Sequence, residues 1–190
     1  MCTLSYLPLR EGYFLVNNRD ESPLRATAFE PQSLVKNDVT IMCPIDAAAK
    51  GTWIGVNHHG IMACLMNGAF KNHTKKPFYK KSRGKITLEF LEADDVVDYF
   101  RQVDLIGIEP FSLIIIDQED IKVFRWDEAH KHSEFLDKNE AYNWSSSTLY
   151  DESIAETRRT FYRENFEVIV NSRIYTWRTK CVDCKITFYI

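Results

Sequence analysis

Cys2 stands one hairpin away from the run Asn18-Arg19-Asp20-Glu21, and those residue types together could do chemistry. Methionine ahead of a residue as small as cysteine is normally trimmed by an aminopeptidase. Trimming would leave one residue with both a thiol and a free α-amine. A thiol titrates near about 8.5 and an α-amine near about 7.7–8.0. The amine can therefore act as the base for its own side chain, and the thiolate can attack a carbonyl carbon. Without Cys2, the pair Arg19 and Asp20 reads as a structural ion pair that locks a loop against the first hairpin.

Elements of a particular kind must bring these groups together. Thr3–Leu7 and Tyr13–Asn17 are apolar, aromatic-rich runs on either side of Pro8-Leu9-Arg10-Glu11-Gly12, which predicts a hairpin. Residues 21–37 are polar and contain Pro23 and Pro31, so a connecting segment is expected there. Val39–Cys43 is a short strand. Thr52–Val56 and Ile61–Met66 flank Asn57-His58-His59-Gly60, a second hairpin in which glycine can take positive φ. Residues 71–85 form a basic loop with seven Lys or Arg, read as solvated or as an anion contact. From Ile86 to Val103 apolar residues recur at helical spacing. Glu92-Ala93-Asp94-Asp95 divides that stretch into two helices, with Asp94 or Asp95 as the cap of the second. Phe111–Ile116 and Ile121–Trp126 are strands around an acidic turn. Asn143–Ser147 is a short polar strand candidate, and a helix spans 151–168. Hairpins with helices collected between them indicate an α+β domain of antiparallel sheets.

Composition excludes several classes. A net charge of -3 and a pI near 6.0 leave no basic face for nucleic acid. No run reaches the roughly 18 apolar residues of a membrane span, and no secretory signal is evident. Five scattered cysteines do not make a disulfide framework, so a reducing, cytoplasmic setting is expected. Cys181-Val-Asp-Cys184 has the spacing of a zinc or redox pair, but no second ligand pair accompanies it, and no metal or cofactor is expected.

Several residues in order carry a family resemblance: Met1-Cys2, Asn18-Arg19-Asp20-Glu21, Gly51-Thr52-Trp53-Ile54-Gly55-Val56, Gly60, Asn67 and Ser82-Arg83-Gly84. Over residues 1–170 the chain resembles the NRDE family, the transport and Golgi organisation protein 2-like group. Residues 171–190 match nothing in it and are read as a divergent tail. The family is similar in turn to N-terminal nucleophile hydrolases of the choloylglycine hydrolase and penicillin V acylase type. The resemblance implies a four-layer αββα sandwich of antiparallel sheets and cleavage of a small non-peptide amide. It marks Cys2 as the nucleophile and Arg19 as the cation that lowers the thiol pKa. Asp20 is implied as the acceptor that holds the α-amine, and Asn67 as an oxyanion donor. Such enzymes also carry a second asparagine before the last helix and an arginine on it. Here Asn143 fills the first role only if its strand shifts register, because the expected Ser-Asn reads Ser146-Ser147. Arg158 or Arg159 fills the second. The resemblance equally allows a non-catalytic carrier of haem or acyl lipid, with His58, His59, His73, His130 and His132 as possible haem ligands.

Overall fold

The computed structural model describes residues 2–19, 21–22, 24–148, 152–171 and 185–189; for Cys2, residue 163, 165–171 and 185–189 it describes the backbone only. Two antiparallel sheets form the centre. The smaller has four strands in the order β10 (Tyr142–Ser145), β1 (Cys2–Pro8), β2 (Tyr13–Arg19) and β11 (Lys185–Tyr189). The larger is a seven-stranded meander: β3 (Phe29–Lys36), β4 (Val39–Ile45), β5 (Ile54–Asn57), β6 (Met62–Asn67), β7 (Phe111–Ile116), β8 (Ile121–Trp126) and β9 (Lys131–Leu136).

Helices cover both outer faces, which completes the four-layer sandwich. Helix α1 (Arg83–Glu92) and α2 (Val96–Gln102) pack on the larger sheet. The Leu91 side chain lies against Gly55, and Asn57 Nδ2 donates to the Leu91 carbonyl at 3.0 Å. Helix α3 (Glu152–Asn171) covers the smaller sheet, where Tyr162 Oη donates to the Tyr6 carbonyl at 2.8 Å. The α1–α2 break falls at 93–95. Asp95 caps α2 by accepting from the Val97 and Asp98 N–H groups, which satisfies donors that a helix start leaves open.

One apolar core runs through the layers, from Leu4, Tyr6 and Leu15 to Phe90, Phe100 and Phe124. Phe90 is fully buried and stacks on Phe124 with ring centroids 5.6 Å apart. Phe90→Ala should therefore destabilise the protein by about 3–5 kcal/mol. Chemical denaturation that shows a loss below about 1 kcal/mol would mean that the helix layer is not packed as described.

Three strands went unread in the sequence: β3, β9 and β11. Segment 21–37 contains β3, whose residues are almost all exposed, and its register shifts between Phe29 and Gln32 around Pro31. Proline lacks the N–H that a central strand needs, so an edge with a bulge is where it is tolerated. The polar strand β9 forms the opposite edge. In both, only one side is paired and little apolar area is buried, so periodicity is faint. Strand β11 pairs with β2, with Lys185 opposite Asn18.

Candidate functional site

The site forms where β2 ends. Cys2 is in direct register with Arg19, and Leu4 and Tyr6 follow opposite Asn17 and Leu15. Cross-strand partners carry their Cβ atoms about 4.5–5.5 Å apart on one face. Cys2 thus shares strand parity with Leu4 and Tyr6, the positions that face the core. Asp20 lies outside the described residues.

Arg19 is held from three sides. Its Nη2 donates to Asp46 Oδ2 at 2.8 Å, and Glu21 Oε2 lies 3.5 Å away. The guanidinium carbon sits 4.3 Å from the Trp53 ring centroid, a cation–π stack. Asp46 also accepts from Arg25 Nε at 2.8 Å through the same oxygen. Its other oxygen accepts the Ala48 and Ala49 N–H groups at 3.1 and 2.7 Å, which pins the turn after β4.

Burial pushes the Asp46 carboxyl up. The hydrogen bonds from Arg25 and Ala49, with the charges of Arg25 and Arg19, outweigh that and hold it below the ordinary 3.8. A depressed carboxyl contributes stability above its unfolded pKa and loses it as pH falls through the folded one. Asp117, beside Lys122, is depressed too, although burial there also acts upward. The native chain should be less stable at about pH 3 than at about pH 6, and Asp46→Asn should lose less over that interval. Denaturant midpoints at the two pH values check this; equal losses in both proteins would remove Asp46 from the acid response.

Facing this cluster is a second one. Arg83, at the start of α1, donates to the Pro110 carbonyl at 3.0 Å and pairs with Glu109 at 3.1 Å. His73 Nε2 lies 3.3 Å from the other Glu109 oxygen. Asn67 ends β6. Its carbonyl accepts from Ser146 Oγ at 2.7 Å, and its carboxamide makes no hydrogen bond among the described residues.

Between the clusters lies a cavity of about 510 Å³ lined by Arg19, Asp46, Trp53, Asn67, His73 and Arg83, among others. A second cavity of about 680 Å³, with Met66, Phe70, Tyr142 and Trp144 in its wall, meets it at Asn67, Asn72 and Thr148. Trp53 Nε1, His73 Nδ1 and Ser82 Oγ are buried without a hydrogen-bond partner among the described residues and belong to residues of the first cavity. Asn143 Oδ1 and Ser145 Oγ are in the same condition at the second. Native proteins satisfy most buried polar atoms, so this concentration fits a place that receives a polar ligand or water.

The structure brings Arg19 and Asn67 to one cavity, and Cys2 to the strand position beside Arg19. It does not bring Asn143 or Arg158 there. Strand β10 keeps its register, with Thr3 opposite Ser145 and Ser5 opposite Asn143. Asn143 Nδ2 donates to Ser5 Oγ at 2.8 Å, and Arg158 Nη1 donates to Thr3 Oγ1 at 2.7 Å. Thr3 and Ser5 have the strand parity opposite to Cys2. Arg159 pairs with Glu152 and Glu156.

The histidines are dispersed. His58 and His59 stack on each other in the β5–β6 turn, His130 and His132 lie near Asp127, and His73 belongs to the cavity. Among the described residues no three His, Cys, Asp or Glu side chains could hold a metal ion, and Cys181 and Cys184 lie outside them. No described helix is long and apolar enough to cross a membrane. Asp46 and Glu109 escaped the sequence reading; the only local signal was for Asp46, an acidic residue between a strand and a small-residue turn.

Comparison with known proteins agrees with this architecture. The family described as transport and Golgi organisation 2 matches residues 1–184. A comparison with curated protein sequences gives no match. Among solved structures, a Caenorhabditis elegans N-acylethanolamine-hydrolyzing acid amidase ortholog is similar, with a TM-score of 0.64 and 14% identity, over 88% of this chain and 79% of that one. A C2A mutant of the conjugated bile acid hydrolase from Clostridium perfringens is similar with a TM-score of 0.53 and 13% identity, over 84% of this chain. This chain spans 57% of that hydrolase's length. At these identities the likeness establishes the fold, the sandwich of N-terminal nucleophile hydrolases.

Proposed function

The chain belongs to the transport and Golgi organisation 2 family, and from that premise we propose that it is a cysteine N-terminal nucleophile hydrolase that cleaves a small non-peptide amide. The observation that carries the reading is the register of Cys2 with Arg19, whose guanidinium lines a cavity that also holds Asn67. In this mechanism Met1 is removed and the Cys2 α-amine takes the thiol proton. The sulfur attacks the amide carbon, and the carbonyl π pair moves to oxygen. The Asn67 carboxamide and a backbone N–H stabilise that oxyanion. Its collapse breaks the C–N bond, and the ammonium returns the proton to the leaving amine. Water, deprotonated by the same amine, then attacks the thioester and releases the acid and the thiol. Arg19 favours the thiolate by its charge. In this reading Asn143 and Arg158, which donate to Ser5 and Thr3, support the strand that carries Cys2.

A panel of acyl amides, followed by mass spectrometry of the released acids, tests the reading, together with intact mass of the N-terminus and thiol labelling at neutral pH. The expected result is a trimmed, fast-labelling Cys2 and release of at least one acid. Retained Met1 with slow labelling, or ligand binding without turnover, would replace the enzyme by a carrier of haem or acyl lipid on this scaffold.

A further inference from the structure

We propose that Asp46 is the positioning residue that holds the Arg19 guanidinium at the strand end beside Cys2. The inference rests on the reading of Cys2 as nucleophile and extends it to a residue that none of the motifs contains. Arg19 is the last residue of β2, so its backbone fixes the Cα but not the head of a long side chain. An arginine gives up much rotamer freedom to be held still, so something must hold it. Trp53 supplies a flat surface, but a stack alone leaves the planar head free to slide. Asp46 removes that freedom. It is itself immobilised, because its Oδ1 is tied to two N–H groups of its own turn and its Oδ2 points the remaining charge at Nη2 of Arg19. The side chains of both partners are about nine-tenths buried, which strengthens the pair relative to a surface contact. Arg25, which shares the same oxygen, is the more exposed of the two guanidiniums.

Charge counting and positioning give opposite expectations, and that makes the assignment testable. Glu21, Arg25, Lys75, Arg83 and Glu109 line the same cavity. If Asp46 acted only through its field, removing a negative charge from this set would favour the Cys2 thiolate. If it acts by holding Arg19, removing it releases the cation and disfavours the thiolate. Asp46→Asn is the informative substitution, because an amide oxygen can still accept from Ala48 and Ala49.

The test follows alkylation of Cys2 by iodoacetamide between about pH 5 and pH 9, with peptide mass mapping to separate it from the other thiols. Asp46→Asn should move the midpoint up by about one pH unit, which slows labelling roughly tenfold at pH values well below the midpoint. Arg19→Leu should move it in the same direction, and Asp46→Asn added to Arg19→Leu should do nothing more. A midpoint that falls or stays in Asp46→Asn, while Arg19→Leu raises it, overturns the positioning role and leaves the nucleophile reading intact. If Arg19→Leu also leaves the midpoint in place, the underlying reading of Arg19 fails and the positioning role fails with it. Thermal unfolding of each variant reports its folding. Should Asp46→Asn not fold, Asp46→Ser retains an oxygen for the turn and carries the same expected shift.

Discussion

Cys2→Ala should abolish hydrolysis of any acyl amide that the trimmed protein turns over, a loss of at least about 10³-fold, with the melting temperature nearly unchanged. The argument for the first half is chemical. In the proposed mechanism every covalent step passes through the sulfur, and alanine supplies no nucleophile in its place. The argument for the second half is structural. Cys2 opens β1, and the register from Thr3 to Pro8 against β2 and from Thr3 to Tyr6 against β10 does not depend on it. Cys2→Ser should keep a weak remnant, because a hydroxyl is far less acidic than a thiol and the α-amine is a poor match as its base. Rates measured by product release, with circular dichroism on the same samples, decide the matter. Native-like turnover in Cys2→Ala would remove the mechanism altogether.

Gly51→Ala should cost about 3 kcal/mol or prevent folding, although it adds one methyl group. A Cβ at Gly51 would come within 2.4 Å of the Gly84 carbonyl carbon and 2.7 Å of the Lys85 nitrogen. Both are backbone atoms at the first turn of α1 and cannot rotate aside as a side-chain tip would. The β4–β5 connection and the start of α1 are also joined by the Thr52 N–H, which donates to the Gly84 carbonyl at 3.1 Å. Forcing them apart breaks that bond and shifts Trp53 and Arg83, which wall the cavity on either side. Gly60→Ala is the control. Its Cβ would meet nothing within 4 Å, but φ is +81°, so the cost should be only the roughly 1–2 kcal/mol of the left-handed region. Urea midpoints of the two variants separate the effects. A Gly51→Ala protein as stable as Gly60→Ala would show that the close approach is not maintained in solution.

Much of the fold was legible because its signals are local. The first hairpin announces itself by two apolar runs around Pro8 and Gly12. The central strands β7 and β8 are continuous or alternating apolar runs, and every β7 residue is buried. The division of α1 from α2 follows from an acidic cluster whose last member, Asp95, caps the second helix. Cys2 and Arg19 could be paired in advance because a hairpin's turn dictates its register. What these signals share is that a residue's neighbours along the chain are also its neighbours in space.

The remainder depended on which elements the tertiary structure sets side by side. Arg19 and Asp46 are 27 residues apart and meet only because β2 and the β4–β5 turn converge from different sheets. Arg83 meets Glu109 across the start of α1 and the loop before β7, again without periodicity to announce it. The register of β10 placed Asn143 opposite Ser5 and left a serine nearest the Cys2 end, a choice that no count of residues could make. An ion pair or a strand register between distant segments is selected by the packing of everything between them. Local signals in the sequence therefore determined the α+β class and the strand end that carries Cys2, the family resemblance implied the sandwich, and the charged surroundings of that end were decided by the fold.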